Sequence, residues 1–381
     1  MINKEANNIM IIAGEVSGDL HGASLITELK RIDSTIDICG IGGDKMKAAG
    51  MQLIYHIDRM AFLGFVEVVK HIPFIKKVQR QLIDTVIQRG IKTVVLIDYP
   101  GFNLSIAKRL KELGIKIIYY ISPQIWAWGA GRINKIKTLV DKMLVVFPFE
   151  EKLYKNAGIP VEYVGHPLIE QTDEKSLLGR EELYKKFNLD INKEILLILS
   201  GSREHEVEKI FPEVIKAATK LAEEYNLQVV VACSSNISEK TFYRLTEIKD
   251  FTVIKDYTYD LMNFAKIGII KSGTSTLEAA LFGLPMVIVY KTTLITYLIG
   301  RNLVKLKNIG LANIVAGKTI VPELIQKHVS EETIYNECKK IISDVNLYNS
   351  IKEKLRSIKA TLGSIGASKR AAESIYAIMN S

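Results

Sequence analysis

The stretch Lys271–Ala280 reads KSGTSTLEAA and lies between two short apolar runs, IGII at 267–270 and MVIVY at 286–290. An apolar run, a loop of small residues, a helical stretch and a second apolar run predict one βαβ unit, with Gly283 ending the helix. Similar apolar runs followed by small-residue loops recur at 8–13, 93–98 and 195–199. The sequence therefore predicts an α/β fold built from parallel sheets with flanking helices.

The loop inside this unit has the composition of a phosphate site. Ser272, Gly273 and Thr274 let the backbone approach a ligand, and the helix that follows offers unpaired N–H groups and the positive end of its dipole. Glu278, one turn into that helix, would accept the two hydroxyls of a ribose. An ordinary capped helix, with Glu278 as a first-turn dipole partner, explains the same residues, and the stretch alone leaves both interpretations open.

The chain has 381 residues, which is long for one core and predicts two domains. A polar segment without a strand signal follows residue 167, so we expect an N-terminal domain at 1–167 and a C-terminal domain at 168–344. The helices of 345–381 are expected to pack back on the N-terminal domain. No apolar run approaches the ~18 residues that cross a bilayer, and the polar N-terminus does not resemble a signal peptide.

The net charge of +9 predicts anionic partners. No nucleic-acid motif is present, which leaves a membrane surface and nucleotide phosphates as the partners that the charge favours. The three cysteines, Cys39, Cys233 and Cys338, lack metal-ligand spacing, as do the histidines. No Asp-x-Asp occurs, so a metal ion held on a nucleotide by paired aspartates is not expected. We expect no cofactor either.

The first strand leads into a glycine-rich turn, GEVSGDLHG at 14–22. Such a turn is typical of a Rossmann-like opening, but its spacing is not Gly-x-Gly-x-x-Gly, which disfavours a dinucleotide. Gly14, Ser17, Gly18 and Asp19 are the residues of this turn that we expect to line a ligand site, because ligands bind at the carboxyl ends of strands in open α/β sheets.

Asp98 ends the apolar run TVVLI at 93–97, and Asn103 is predicted to cap the next helix. Asp98 is then not needed as a cap, and a carboxylate at the carboxyl end of a strand faces the ligand cleft. This makes Asp98 the candidate general base, although an Asp that only stabilises the loop explains the sequence equally well.

Residues 60–77 combine apolar and basic side chains. Pro73 starts an amphipathic helix, while the segment before it is apolar almost all round and Lys70, Lys76 and Lys77 lie nearby. This mixture is typical of a patch that dips into an anionic membrane interface, and a buried helix pair with a basic edge is the alternative. The patch would comprise Phe65, Val66, Val69, Ile72 and Phe74.

The second half repeats the pattern of the first. The run ILLIL at 195–199 leads into Ser200, Gly201, Ser202 and Arg203, where an arginine at a helix N-terminus suits a diphosphate. Asn313 is a further candidate for contact with the donor, with a turn asparagine as the alternative. The segment 321–326 is predicted to be a loop that leads into a helix.

Seven motifs occur in the order found in one enzyme family, namely GEVSGD at 14–19, DYPGFN at 98–103, SPQIWAW at 122–128, FPFE at 147–150, GHP at 165–167, GSR at 201–203 and SGT at 272–274. Each motif is weak alone, but the ordered set, from about residue 9 to about residue 330, closely resembles the lipid-A-disaccharide synthase family. One departure is Ser200, where the family usually has proline.

The resemblance implies a GT-B type fold, two Rossmann-like domains facing across a cleft. It implies an inverting, metal-independent transferase that joins UDP-2,3-diacylglucosamine to 2,3-diacylglucosamine 1-phosphate. Asp98 would be the base, and Arg203, Ser272–Thr274 and Asn313 would meet the charge of UDP. The turn with Gly14, Ser17, Gly18 and Asp19, here named the acceptor turn, would line the acceptor site. Glu278 would hold the ribose, as in related folds. The location implied is cytoplasmic and peripheral on the inner membrane, and a homodimer is left open. A UDP-N-acetylglucosamine 2-epimerase of the same fold is the alternative.

Overall fold

The computed structural model describes residues 7–60, 72–126, 131–174, 177–293, 297 and 307–381. The chain divides into two compact units, one formed by residues 1–170 with 362–381 and the other by residues 171–361. Each unit is built around one parallel sheet, so the predicted parallel α/β architecture is confirmed. A short helix, Leu168–Glu174, carries the chain across the first division.

The first unit contains a seven-stranded sheet in the order β3-β2-β1-β4-β5-β6-β7. Its strands are all parallel. They are β1 (Asn8–Ala13), β2 (Asp37–Gly42), β3 (Gln52–His56), β4 (Thr93–Ile97), β5 (Lys116–Tyr120), β6 (Lys142–Val145) and β7 (Val161–Tyr163). The central strands β1 and β4 are almost fully buried, as expected for a parallel sheet covered by helices on both faces.

The helices of the first unit connect these strands. They are α1 (Val16–Ile32), α2 (Asp44–Ala48), α3 (Ile72–Gln88), α4 (Pro100–Glu112), α5 (Arg132–Leu139) and α6 (Pro148–Asn156). We number the helix at the division, Leu168–Glu174, α7. A one-turn 3₁₀ helix, Ile57–Arg59, follows β3. No helix among the described residues is both long and apolar enough to span a bilayer.

The second unit contains a six-stranded parallel sheet in the order β10-β9-β8-β11-β12-β13. Its strands are β8 (Glu194–Leu199), β9 (Leu227–Cys233), β10 (Thr252–Lys255), β11 (Ala265–Lys271), β12 (Met286–Tyr290) and β13 (Glu323–Ile325). Its helices are α8 (Arg180–Lys186), α9 (Glu204–Tyr225), α10 (Glu239–Arg244), α11 (Thr258–Phe264), α12 (Thr274–Leu281), α13 (Leu311–Val315), α14 (Glu331–Ser343) and α15 (Val345–Thr361).

The C-terminal segment differs from the prediction. Helix α15 belongs to the second unit, where it packs against α12 and α14 through a buried stripe of Ile351, Leu355 and Ile358. Only the last helix, α16 (Ala367–Met379), packs on the first unit, against α1. The chain leaves α15 through Gly363 and Gly366, both of which have positive φ angles that favour glycine.

Two local predictions are wrong. Asn103 is not the cap of α4, because Tyr99 is the N-cap residue. Asn103 lies in the first turn of the helix, and its Nδ2 donates a hydrogen bond to the carbonyl of the preceding Asp98. The segment 321–326 contains the edge strand β13, followed by a 3₁₀ turn at Gln326–His328, instead of a helix. A strand of three residues is too short to show an alternating pattern, and pairing with β12 is what forms it.

Candidate active site

The candidate residues of the first unit lie where its strand order reverses. Strand β1 pairs with β2 on one side and with β4 on the other, and open α/β sheets bind ligands at such a switch point. Ala13 lies opposite Ile97 in the register, so Gly14 and Asp98 leave the sheet side by side. The acceptor turn and the predicted base therefore occupy one edge of the same sheet.

The backbone at Asp98 is held in an unusual conformation. Asp98 and Tyr99 have φ angles of 44° and 45°, a left-handed region that costs a non-glycine residue of order 1 kcal/mol. The Asp98 carbonyl accepts hydrogen bonds from Asn103 Nδ2 at 2.8 Å and from the Tyr119 hydroxyl at 2.5 Å. Two buried donors thus fix a strained turn that sets the direction of the Asp98 side chain.

The Asp98 carboxyl has the acidity of a general base that works near neutral pH. Burial, followed by the negative charge of Glu15, raises its pKa to about 7, and the charge of Glu150 adds a smaller effect in the same direction. A backbone hydrogen bond from Tyr99 acts in the opposite sense. A pKa near the working pH maximises the fraction of base that is both ionised and basic enough to accept a proton.

Glu150, which the sequence interpretation left without a role, organises the loop after β5. Its buried Oε1 accepts hydrogen bonds from Ser122 Oγ at 2.5 Å and from Trp126 Nε1 at 3.0 Å, and Oε2 accepts one from the backbone N–H of Phe147. Burial raises the pKa of Glu150 to about 7. Glu150 therefore ties the tryptophan loop to the start of α6.

Residues of the acceptor turn hold the fold together in ways that the sequence did not predict. A Cβ atom on Gly18 would lie 3.2 Å from the Ala13 Cβ, so this glycine lets α1 pack closely on β1. The Asp19 carboxylate accepts hydrogen bonds from the backbone N–H groups of Gly43, Lys45 and Met46 at the start of α2. Ser17 lies half-buried in the first turn of α1. Asp19 is therefore occupied in the fold, which is evidence against direct contact with an acceptor.

Two buried histidines, His21 on α1 and His166 after β7, pack against each other. The rings of His21 and His166 are 6.1 Å apart, edge to face, and His166 is 5.0 Å from the Phe147 ring. Burial lowers the pKa of His21 to about 4 and lowers that of His166 well below its ordinary value, with His21 adding to the effect on His166. Both imidazoles are neutral at neutral pH. His166 lies in the Gly-His-Pro motif, and that motif was the sequence feature that could have identified it.

The second unit repeats this arrangement on its own sheet. The strand order reverses between β8 and β11, where Leu199 lies opposite Ile270. The loop that contains Gly201, Ser202 and Arg203 and the loop that begins at Ser272 therefore leave adjacent strands at the same edge. Helices α9 and α12 begin there, so two sets of unpaired N–H groups lie at the ends of neighbouring strands.

A carboxylate joins the two loops. Glu206 Oε1 lies 2.8 Å from Lys271 Nζ and 3.5 Å from Arg203 Nη1. Gly201 has a φ angle of 132°, and a Cβ atom there would lie 2.7 Å from Glu206 Oε2. Gly201 must therefore be glycine for two reasons, its backbone conformation and the carboxylate beside it.

The Ser272–Thr274 loop leaves space at its tip. Ser272 is anchored, because its Oγ donates to the Ile309 carbonyl at 3.0 Å and its N–H to the Val289 carbonyl at 2.9 Å. Gly273 is the N-cap residue of α12, and a Cβ atom there would meet nothing within 4 Å. The protein itself does not require glycine at 273. Glu278 on α12 accepts a hydrogen bond from the Tyr259 hydroxyl at 3.0 Å.

Asn313 does not fit the predicted contact with a donor. The residue is fully buried, and its Nδ2 donates to the Val321 carbonyl and to Glu323 Oε1. Its Oδ1 accepts hydrogen bonds from the N–H groups of Ile320 and Val321. These four bonds fasten α13 to the segment that precedes β13, and a ligand would have to break them to reach the amide.

The predicted membrane patch lies mostly outside the described residues, which is the case for Phe65, Val66 and Val69. Of the remaining two, Ile72 is exposed at the start of α3. Phe74 packs on the core of the first unit, with its ring 6.0 Å from that of Tyr55. Phe74 is therefore a packing residue and not part of a free apolar surface.

The described residues contain no group of three or more His, Cys, Asp or Glu side chains placed to hold a metal ion. Sequence reasoning gave no role to Glu15 and Glu150, whose charges raise the pKa of Asp98, or to Glu206 and Lys271, which form an ion pair in the second unit. Glu15, Glu150 and Lys271 lie within stretches of sequence quoted above, but their importance depends on partners far away in the sequence.

Two parallel sheets with flanking helices, each with a switch point of the kind at which open α/β sheets bind ligands, are the architecture of the GT-B fold class. Among solved structures, the UDP-GlcNAc 2-epimerase from Neisseria meningitidis bound to UDP-GlcNAc superimposes with a TM-score of 0.69, at 17% identity, over 97% of this chain and 100% of that one. At this identity the similarity establishes the fold alone.

The sequence relationship is more specific. The family model for lipid-A-disaccharide synthetase matches residues 9–379, so the chain belongs to that family. The lipid-A-disaccharide synthase of Geobacter sulfurreducens is 40% identical over 98% of this chain and 97% of its own length. That of Nitrosococcus oceani is 39% identical over 97% of this chain and 96% of its own.

Proposed function

We propose that this chain is an inverting glycosyltransferase that joins UDP-2,3-diacylglucosamine to 2,3-diacylglucosamine 1-phosphate, releasing UDP and lipid A disaccharide 1-phosphate. The observation that carries the proposal is the family match over residues 9–379, together with a relative that is 40% identical over 98% of this chain. The epimerase alternative rests only on a fold shared at 17% identity and is not favoured.

The first unit would supply the base. As the 6-hydroxyl oxygen of the acceptor attacks the anomeric carbon of the donor, Asp98 accepts the hydroxyl proton and the bond from that carbon to the diphosphate breaks. One displacement converts the α linkage of the donor into a β linkage in the product. The pKa of about 7 and the fixed turn at Asp98 support this role.

The second unit would stabilise the leaving group. UDP gains negative charge as its bond to the sugar breaks, and Arg203 with the N-terminal N–H groups of α9 and α12 lies at the edge where a diphosphate would bind. Each such donor is worth about 10²–10³ in rate. Gly201, Ser202, Ser272, Gly273 and Thr274 would line the diphosphate, and Glu278 would bind the ribose.

A radiolabelled assay with both diacyl substrates, run in EDTA, tests the reaction. We expect disaccharide formation and UDP release that depends on the acylated acceptor. Asp98→Ala is expected to lose nearly all turnover while keeping its affinity for UDP, and near wild-type turnover would remove Asp98 from the role of base. Epimerisation of UDP-N-acetylglucosamine without an acceptor would favour the alternative.

We also infer that the protein binds the inner membrane peripherally from the cytoplasmic side, because both proposed substrates carry acyl chains. Ile72 is exposed at the start of α3, next to the exposed cations Lys76, Lys77 and Arg80. Each basic residue near an anionic surface contributes about 1 kcal/mol. The adjoining apolar residues Phe65, Val66 and Val69 would complete the patch.

Sedimentation with anionic vesicles tests this surface. Replacing Phe65, Val66, Val69 and Ile72 with serine should release the protein. The Lys76→Gln/Lys77→Gln variant should reduce the bound fraction, whereas Lys108→Gln/Arg109→Gln, an equal loss of charge on the exposed side of α4, should not. Unchanged sedimentation of the first two variants would assign the patch to the core.

Whether the protein forms a homodimer stays a prediction, and light scattering would test it.

A further inference from the structure

Lys271 is the charged residue that ends β11, and the reaction proposed above gives it no role. It immediately precedes the Ser272–Thr274 loop, and its Nζ lies 2.8 Å from Glu206 Oε1. Its side chain is 17% exposed and that of Glu206 is 11% exposed. An ion pair this far from water is costly to desolvate, so its stabilising value for the fold alone is small or negative.

Glu206 serves two cations with one carboxylate. Arg203 Nη1 lies 3.5 Å from the same Oε1 that bonds Lys271. Glu206 Oε2 is buried and accepts no hydrogen bond from the residues that the structure describes. Two neighbouring carboxylates on α9 bond elsewhere: Glu204 accepts hydrogen bonds from Thr241 and Arg244, and Glu208 accepts one from Arg244.

The cluster of Arg203, Glu206 and Lys271 therefore carries a net positive charge at a half-buried position. The N-terminal ends of α9 and α12 add positive potential at the same edge of the sheet. Tyr290, whose ring centroid is 6.0 Å from Lys271 Nζ, is neutral, because burial and the charge of Glu206 raise its pKa. Both cations and both helix ends would attract an anion bound at this edge.

We propose that Lys271 is a phosphate-binding residue of the sugar-nucleotide site, and that Glu206 is the positioning residue that holds Lys271 and Arg203 toward the diphosphate. This inference rests on the proposed function. A lysine ammonium has three N–H donors, so the bond to Glu206 leaves two for phosphate oxygens. Lys271 ends β11 and Arg203 lies in the loop after the adjacent strand β8, so together they would bind the diphosphate from two sides.

Calorimetric titration of the full chain with UDP, UMP and uridine tests the role of Lys271. Lys271→Met is expected to raise the Kd of UDP about 10- to 100-fold, the cost of one charge-assisted hydrogen bond. It should raise the Kd of UMP less and that of uridine by under twofold. Lys271→Arg, which keeps the charge, should recover a large part of the UDP affinity.

Lys266→Met is the matched control. Lys266 lies near the start of the same strand and pairs with Glu194 at 3.2 Å, so its loss removes an equal charge from the other end of β11. Its UDP affinity should stay within twofold of wild type. UDP binding by Lys271→Met within twofold of wild type would overturn the role of Lys271. An equal loss for UDP and uridine would do the same, because it would indicate a collapsed site.

A double-mutant cycle tests Glu206. If Glu206 acts through Lys271, the fold-change in UDP Kd caused by Glu206→Gln should differ at least threefold between the wild-type and Lys271→Met backgrounds. Equal fold-changes would overturn the positioning role. Glu204→Gln, in the same turn of α9, should leave the Kd unchanged. Failure of the wild-type protein to bind UDP would reject the proposed function as well, which separates the two failures.

Discussion

The ring of Tyr99 covers the Cα atom of Gly14, so that a Cβ atom at position 14 would lie 2.2 Å from both Cγ and Cδ1 of the ring. The Tyr99 hydroxyl donates to the Met60 carbonyl at 3.0 Å, which fixes the other end of the side chain. Because Tyr99 directly follows Asp98 in the strained turn, the glycine of one loop sets the position of the proposed base in the next.

Gly14→Ala should therefore displace Tyr99 and move Asp98. We expect turnover to fall about 10²-fold, the usual cost of moving a catalytic group by about 1 Å, with UDP affinity unchanged because UDP is expected to bind the other unit. Gly101→Ala is the control, since a Cβ atom at 101 would meet nothing within 4 Å. Equal turnover in the two variants would show that Tyr99 does not transmit the change.

The pH dependence of kcat/KM should report the carboxyl group of Asp98. We expect kcat/KM to rise with pH and to level off above about 7, where Asp98 is ionised. Glu150→Gln should move this midpoint to lower pH, because the charge of Glu150 contributes to the raised pKa. A wild-type midpoint near ~4, the ordinary value of a carboxyl group, would contradict the assignment.

The same pKa shift predicts how stability depends on pH. The pKa of Asp98 is raised from 3.8 to about 7 in the folded state, so the folded protein binds the extra proton between these values. Stability from this group is present below pH 3.8 and is lost as the pH rises to about 7. A pKa that is raised by ~3 is worth ~4 kcal/mol, and each kcal/mol moves the melting temperature of a unit of this size by ~2–4 °C. Asp98→Asn should therefore melt close to wild type at pH 4 and on the order of 10 °C higher at pH 8.

Thermal melts of Asp98→Asn and of Asp84→Asn, an exposed carboxylate on α3, would measure this difference. Asp84→Asn should show no comparable change between the two pH values. An Asp98→Asn variant that melts below wild type at pH 8 would contradict the buried, raised-pKa state of this carboxyl.

Gly273→Asn separates the needs of the fold from those of a ligand. Asparagine is a favoured N-cap residue and finds open space at 273, so the melting temperature should change by under ~2 °C. UDP affinity should fall at least ~10-fold, because the new side chain fills the space where the backbone would meet the diphosphate. Gly179→Asn, at the N-cap of α8, where a Cβ atom also meets nothing within 4 Å, should change neither quantity.

Asn313→Ala tests the corrected role of that residue. It removes four buried hydrogen bonds, and we expect the free energy of unfolding to fall by roughly 2–4 kcal/mol. Asn308→Ala, which loses one exposed bond with Thr319, should cost under ~0.5 kcal/mol. A loss of UDP affinity with unchanged stability would restore the predicted contact with the donor.

Most strands and their loops could be predicted from the sequence, because the patterns that indicate them are local. Apolar runs followed by small-residue loops located most strands, and the loop after each parallel strand must lie at the carboxyl edge of its sheet. That reasoning placed Asp98, Arg203 and Ser272 at strand ends. It missed the strand Glu323–Ile325, which depends on pairing with its neighbour, and it gave Asn313 a ligand when buried backbone groups already satisfy it.

The order of hydrophobic and small residues along the chain was sufficient to determine two parallel α/β sheets and to identify the loops that face ligands, because a strand, its loop and its helix are contiguous. Only the tertiary structure decided that β1 adjoins β4 and β8 adjoins β11, which brings together loops about 70 to 80 residues apart. Those neighbours determine the partners and the burial of each side chain. The raised pKa of Asp98 and the Glu206–Lys271 pair arise from such long-range contacts, and the sequence spacing does not encode them.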